Sequence, residues 1–153
     1  MTTALNAKLQ EFLQAFNDHL ICNHILRQAL VPGMKVASFG RIINIIFTSV
    51  KKPIPGLGVS NTIRAAVANW SKTLANELGP FGITVNNVLP GFTKTSRADY
   101  VIEKRAADNG KTAEEVLVEI EAEIPARRIG RPEEFSAAIA FLCLSLTGLH
   151  QWY

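Results

Sequence analysis

The chain has 153 residues, of which 48% are apolar and 19% charged, and its formal net charge at neutral pH is +3. This balance is typical of a globular protein and excludes the charge-rich, apolar-poor composition of disorder. The small charge and the spread of Lys and Arg along the chain argue against nucleic-acid binding, and no stretch approaches the roughly 18 apolar residues that span a bilayer.

The two cysteines give no sign of a disulfide or a metal site. Cys22 and Cys143 lie inside apolar helical patterns without paired or metal-ligand spacing, so we expect buried free thiols and no bound metal. The N-terminus has no basic segment followed by an apolar run and a cleavage site. We therefore expect a soluble protein of the reducing cytoplasm, with neither nucleic acid nor membrane as a partner.

The first third of the chain predicts helix followed by strand. Apolar residues recur at helical spacing over residues 5–30, which indicates one long amphipathic helix, or two with a break, and Pro32-Gly33 predicts its end. The next apolar run, at residues 42–47, is short and rich in β-branched residues and follows Gly40. That pattern predicts a buried strand of a parallel sheet.

The middle of the chain predicts a loop, a helix and a second strand. Prolines and glycines at residues 53–58 predict a loop, and helical periodicity then returns over residues 60–78. A second strand is predicted at residues 83–89, before Pro90-Gly91. Strand, helix and strand in this order predict a parallel crossover, so the fold class is α/β.

The last third predicts two further helices and no further strand. Thr112 and Glu115 form a capping-box pattern, and Pro132 suits the first turn of a helix over residues 132–144. Two parallel strands do not complete a doubly wound sheet of five or more. Either the strand edges pair with another copy, or the chain is a self-associating fragment.

Six short segments stand out, in this order and spacing: Gly40-Arg41-Ile42-Ile43-Asn44-Ile45, Ala65-Ala66-Val67, Leu74-Ala75-Asn76-Glu77-Leu78, Gly82-Ile83-Thr84-Val85-Asn86, Pro90-Gly91-Phe92-Thr93-Lys94-Thr95 and Arg128-Ile129-Gly130-Arg131-Pro132-Glu133-Glu134. Together they resemble the second half of the short-chain dehydrogenase/reductase family, especially its 3-oxoacyl-carrier-protein-reductase-like members. The resemblance covers about residues 10–143.

The resemblance implies a single partial domain of Rossmann type over residues 1–153. Its two parallel strands are flanked by helices, and it lacks the N-terminal βαβ half that binds the dinucleotide in the family and the last strand of the family's sheet. Residues 96–128 correspond to the family's substrate lid, and residues 144–153 diverge from the family. Gly56 and Gly58 lack the third glycine of a phosphate loop.

The resemblance also assigns candidate catalytic residues. The family uses a tyrosine as acid and base, a lysine four residues later and a carbonyl-polarising serine; Ser60 stands at the tyrosine position and Arg64 at the lysine position. Counting from Gly40 puts Phe47 at the serine position, and a short insertion would bring Ser49 into that role. We take Ser49 and Arg64 as the catalytic candidates. The family's relay asparagine falls near His19.

The implied ligands are NADP or NAD and a small carbonyl or acyl substrate. Pro90, Gly91, Thr93 and Thr95 match the segment that contacts the nicotinamide end of the cofactor in the family, and they are our cofactor-binding candidates. In the family, two long helices pack across a dimer axis. Here they would be residues 5–30 and 60–78, which predicts a homo-oligomer.

The function implied by the resemblance is that of an NAD(P)-dependent oxidoreductase fragment, a carbonyl or 3-oxoacyl reductase, that we expect to be inactive alone. A serine hydroxyl titrates far above the phenol that it replaces, which weakens acid/base chemistry at Ser60. The alternative is a non-catalytic pseudoenzyme, or a self-associating fragment that acts through the surface of the two long helices.

Overall fold

The computed structural model describes residues 3–148. They form six α-helices and two β-strands in this order: α1 (Leu9–Phe16), α2 (Cys22–Val36), β1 (Gly40–Ile45), α3 (Gly58–Leu78), β2 (Ile83–Val88), α4 (Ser96–Asn109), α5 (Ala113–Glu123) and α6 (Pro132–Cys143). The described residues divide into two compact units, one made of residues 3–89 and 139–148 and the other of residues 90–138. The described part leaves out residues 1–2 and residues 149–153, the latter at the end of the divergent tail.

The first unit is built on the two predicted strands. β1 and β2 pair in parallel, with Gly40 opposite Ile83 and Ile45 opposite Val88, and α3 makes the connection between them. The β-branched runs that predicted the strands therefore do form the sheet. Parallel pairing with a helical crossover confirms the α/β fold class.

One apolar core joins the sheet to its helices. Ile83 and Val85 of β2 pack with Leu74 and Leu78 of α3, and α2 adds Val31 to the same cluster. Ile83 is 0% exposed, so its whole side chain is removed from water. Burial of this kind supplies most of the free energy that folds the unit.

Of the two alternatives for residues 5–30, one long helix or two with a break, the structure has the second, whereas the predicted end at Pro32-Gly33 is wrong. The break is a π-helical segment, Asn17–Ile21, and α2 continues past Pro32 to Val36. A proline inside a helix removes one backbone hydrogen bond. Packing of Met34 against the core of the sheet favours the extra turn despite that loss.

A tight turn leads into β2 at Gly82. This glycine has φ +70°, and a Cβ atom built on it would lie 2.4 Å from the carbonyl oxygen of Ser38. The left-handed conformation disfavours other residues, and the close approach leaves no room for a side chain. Gly82 therefore fixes both the turn and its contact with the segment before β1.

The second unit contains α4 and α5. Ile102 and Ala106 of α4 pack against Val116 and Ile120 of α5. The predicted capping box is present at the start of α5, where the Thr112 hydroxyl accepts a hydrogen bond from the Glu115 amide. This capping satisfies backbone groups that a helix start leaves without partners.

The arginine-rich segment before α6 is paired within the second unit. Arg128 donates from Nη1 and Nη2 to the Glu134 carboxylate at 2.7 and 2.6 Å, and the Arg131 amide donates to the same carboxylate. Arg128 and the Arg131 amide lower the pKa of Glu134 to about 2. Arg128 thus has a carboxylate partner in its own segment, and Pro132 opens α6 as predicted.

The prediction that both cysteines are buried is wrong in part. Both thiols are free, but Cys22 is half-buried and Cys143 is exposed. The apolar pattern of α6 misled the prediction, because only Leu142 of that helix is buried in the described chain. None of the helices described over residues 3–148 is long and apolar enough to span a bilayer.

Candidate functional site

Arg64 lies against the carboxyl end of β1. Its Nη1 donates a hydrogen bond to the Ile45 carbonyl oxygen at 3.2 Å. The Ile46 amide donates to Val88 in the neighbouring strand, so the backbone groups of Ile45 point to the opposite edge. Burial lowers the pKa of the Arg64 guanidinium from its ordinary value, but an arginine still carries its charge at neutral pH.

Ser49 lies in the turn that follows β1. The turn is a single 3-10 segment, Thr48–Val50, in which the Val50 amide donates to the Phe47 carbonyl oxygen. Ser49 is 2% exposed, and its hydroxyl has no hydrogen-bond partner among the described residues. Most buried hydroxyls have a partner, and one that lacks it suggests an absent water or ligand.

His19 lies in the π-helical segment between α1 and α2. It lines a cleft of 530 Å³ together with Asp18 and Ser60, and also a groove of 260 Å³ together with Arg64. Burial lowers the pKa of His19, the charge of Arg64 lowers it further, and Asp18 opposes both. The neutral imidazole is therefore favoured at neutral pH. Segments of π-helix are frequent at functional sites.

Asn61 is a residue that the sequence prediction missed. Its Nδ2 donates to the Ile54 carbonyl oxygen at 2.9 Å and so holds the loop before α3. Its Oδ1 is buried without a partner in the described chain. Its place near the start of α3, directly after the loop, was the available signal.

The cofactor-binding candidates belong to the second unit, where the loop after β2 is held by local hydrogen bonds. Thr95 caps α4 by accepting from the Ala98 amide at 3.3 Å, and Thr93 Oγ1 donates to the Gly91 carbonyl oxygen at 3.2 Å. The Gly130 amide donates to the Phe92 carbonyl oxygen, and the Gly130 carbonyl oxygen accepts from the Lys94 amide. Nothing lies within 4 Å of a Cβ atom built on Gly91.

Of the predicted residues, Ser49, Ser60 and Arg64 all fall in the first unit, around the carboxyl end of β1 and the start of α3. Pro90, Gly91, Thr93 and Thr95 fall together in the loop of the second unit. The carboxyl ends of parallel strands are where ligands bind in open α/β sheets. In the first unit, Arg64 lines the groove of 260 Å³ and Ser60 the cleft of 530 Å³, whereas the Ser49 hydroxyl is buried and lines neither.

Comparison with known proteins gives a consistent set of similarities. A family model described as enoyl-(acyl carrier protein) reductase matches residues 1–149. The 3-oxoacyl-[acyl-carrier-protein] reductase FabG of Rickettsia bellii is 33% identical over 141 residues, which are 92% of this chain and 54% of FabG.

Two solved structures share the fold. The crystal structure of YwfH, an NADPH-dependent reductase involved in bacilysin biosynthesis, has a TM-score of 0.91 and 29% identity, with 98% of this chain and 57% of YwfH covered. L-sorbose reductase of Gluconobacter frateurii, complexed with NADPH and L-sorbose, has a TM-score of 0.90 and 27% identity, with 98% and 57% covered. The chain thus spans little more than half the length of these relatives.

Proposed function

Since this chain belongs to the short-chain dehydrogenase/reductase family, we propose that it forms the carbonyl-binding part of an NAD(P)(H)-dependent reductase site. The observation that carries the proposal is the buried Ser49 hydroxyl without a partner, next to the strand end that Arg64 contacts. The substrate class is a small ketone or 3-oxoacyl compound, in keeping with the 3-oxoacyl and L-sorbose reductases that the chain resembles.

The residues present fit a nicotinamide cofactor at its reactive end. The Ser49 hydroxyl is an available donor, and the Arg64 guanidinium has five N–H donors, of which one is engaged by Ile45. When bound, the reduced nicotinamide supplies a hydride to the carbonyl carbon. In the second unit, the family resemblance supports Pro90, Gly91, Thr93 and Thr95 as candidates for binding the nicotinamide end of a cofactor.

The chain's own residues then act on the substrate oxygen. Ser49 donates a hydrogen bond to the carbonyl oxygen and stabilises the negative charge that develops on it. Arg64 holds ribose hydroxyls and adds a fixed positive charge. Ser60, at the position of the family's tyrosine, passes a proton less readily than a phenol does. This arrangement favours binding and polarisation over fast proton transfer.

An assay of two proteins tests the proposal. The 153 residues alone should not oxidise NADPH with a 3-oxoacyl thioester, because the relatives use about twice this length of chain. A fusion that places before this chain the part of YwfH that precedes the matched region should oxidise NADPH in a substrate-dependent way. A folded fusion that binds NADPH without turnover would contradict the reductase proposal. Turnover by the 153 residues alone would contradict the expectation that they are inactive by themselves.

Replacing Ser49 with alanine in that fusion should lower kcat/KM by about 100-fold, because loss of one donor to a developing oxyanion typically costs this much. Steady-state kinetics with a 3-oxoacyl thioester measure the effect. Thr48→Ala, which removes the exposed hydroxyl next to it, is the matched control and should leave kcat/KM unchanged. Equal rates for Ser49→Ala and the parent fusion would remove Ser49 from the mechanism.

A second candidate function, self-association through the long helices, is favoured by an exposed apolar stripe. Its members are large side chains of α1 and α2 that are exposed to solvent: Leu9, Leu13, Phe16, Ile25, Leu26 and Leu30. The exposed positions of α3 include Asn69, Lys72 and Glu77, which are polar. In this proposal the stripe of α1 and α2 supplies the apolar part of a homodimer surface that α3 borders.

Replacing Leu26 with lysine should raise the dissociation constant of this homodimer about tenfold or more, because a charge enters an apolar contact in both copies. Sedimentation equilibrium measures the change. Val118→Lys, on the exposed face of α5, is a control with the same chemistry in the other unit. If both variants associate as the parent chain does, the stripe is not the interface.

A further inference from the structure

His19 and Ser60 line the same cleft of the first unit. The cleft, of 530 Å³, lies between α1, the π-helical segment and the start of α3. His19 belongs to the π-helical segment, Asn17–Ile21, and Ser60 to the first turn of α3. The cleft therefore brings an imidazole and a hydroxyl group from two separate elements to one small space.

Polar side chains hold the backbone around His19. Asn23 Nδ2 donates to the His19 carbonyl oxygen at 2.8 Å, and Gln14 Nε2 donates to the Asp18 carboxylate at 2.8 Å. A π-helical turn displaces carbonyl groups from their usual partners four residues on, and here a side chain takes the place of one such partner. The helix thus presents His19 to the cleft from a segment that is fixed on both sides.

The surroundings of His19 make its protonated form a stronger acid than an ordinary imidazolium. The charged groups that line the cleft or act on His19 are Asp18 beside it, Glu11 of α1 and Arg64 of α3. Burial and the Arg64 charge lower the pKa of His19, and Asp18 limits the change. A proton donor works best when its pKa lies near the operating pH, and histidine is the side chain that meets this condition most often.

Reduction of a carbonyl group requires such a donor. Addition of a hydride to the carbonyl carbon leaves a negative charge on the oxygen, which becomes a hydroxyl group only when it gains a proton. A serine hydroxyl can pass on its proton only if it regains one at the same time, because the alkoxide that it would otherwise become is far too basic at neutral pH. Ser60 therefore needs a second proton donor within the same cleft.

We infer that His19 is this donor and that it acts through the Ser60 hydroxyl. The inference rests on the proposed reductase function. As the product oxygen takes the Ser60 proton, the Ser60 oxygen takes a proton from the His19 imidazolium. One O–H bond forms on the product, one N–H bond breaks on His19, and Ser60 ends as it began. Water then returns a proton to the neutral imidazole, so with the hydride supplied as above no other reactant is needed.

The pH dependence of the fusion with the preceding part of YwfH tests this inference. Because the donor is the protonated imidazole, kcat/KM should fall tenfold per pH unit above the pKa of His19, which NMR of the same fusion measures directly. Asp18 raises the pKa of His19, so Asp18→Asn should move the NMR pKa and the kinetic break to lower pH together. A break that stays in place while the NMR pKa moves would overturn the inference.

Substitutions test the path through Ser60. Below the kinetic break, His19→Gln and Ser60→Ala should each lower kcat/KM by about 100-fold, and the double variant should be no slower than either, because both changes interrupt one path. His24→Gln is the matched control, since the His24 ring contacts Trp70, and it should keep both the rate and the break. Losses that add in the double variant, or turnover indifferent to His19, would overturn this inference alone. A folded parent fusion without turnover would overturn the reductase function and this inference with it.

Discussion

Replacing Ile83 with alanine is expected to lower the free energy of unfolding by about 3 to 4 kcal/mol. The side chain is 0% exposed and packs in the cluster that joins β2 to α2 and α3. Its removal loses the transfer free energy of three carbon atoms and leaves a cavity between elements that cannot close freely, because both ends of the strand are fixed. Urea denaturation followed by circular dichroism measures the change.

Val36 provides the control for that measurement. It is also β-branched but is 90% exposed at the end of α2 and lies outside the apolar stripe, so Val36→Ala should change the free energy of unfolding by less than about 0.5 kcal/mol. A comparable loss at the two positions would mean that the sheet cluster is not the core of the first unit. A small loss at Ile83 alone would mean that the cluster repacks around the cavity.

Replacing Gly82 with alanine should cost about 3 kcal/mol, because two effects add. The left-handed conformation at φ +70° strains any residue with a Cβ atom, and here that atom would lie 2.4 Å from the Ser38 carbonyl oxygen. The backbone before β1 would have to shift, and with it the first pair of the sheet, Gly40 opposite Ile83. The same denaturation measurement applies.

Substitutions at two other glycines separate the conformational strain from the close contact with Ser38. Gly110 has φ +64° with no atom within 4 Å of a built Cβ, so Gly110→Ala should show the conformational strain alone, about 1 kcal/mol. Gly33 lies in α2 with open space and ordinary φ, so Gly33→Ala should stabilise by about 0.5 to 1 kcal/mol. Equal losses at Gly82 and Gly110 would show that the Ser38 contact is absent in solution.

The strands were predictable because their signal is local. The run at residues 42–47 and its counterpart at residues 83–89 are rich in β-branched residues and bounded by glycine or proline, and the observed strands start within two residues of them. Their parallel pairing followed from the intervening helix of 21 residues. Family resemblance then supplied the candidate residues, which composition alone could not.

Other features depend on packing that a local pattern does not contain. Pro32 predicted a helix end, but Met34 packs against the sheet and the helix continues. Cys143 follows the buried Leu142 in an apolar run but is itself exposed. The turn that holds Ser49 packs against α3, where Val50 contacts the cluster of Val67 and Ala68, and no local pattern in the turn predicts this packing.

The π-helical segment between α1 and α2 affects how the chain tolerates the loss of one residue there. The Cys22 amide donates to the Asn17 carbonyl oxygen, five residues back instead of four, so the segment stores one residue beyond what an α-helix would use. The wider π-turn already takes up this extra residue within a single turn of helix. Deletion of one residue here should therefore convert the segment to straight α-helix and leave the apolar faces of α1 and α2 in nearly the same relative orientation. A deletion elsewhere in α1 or α2 would instead turn the two faces by about 100° relative to each other.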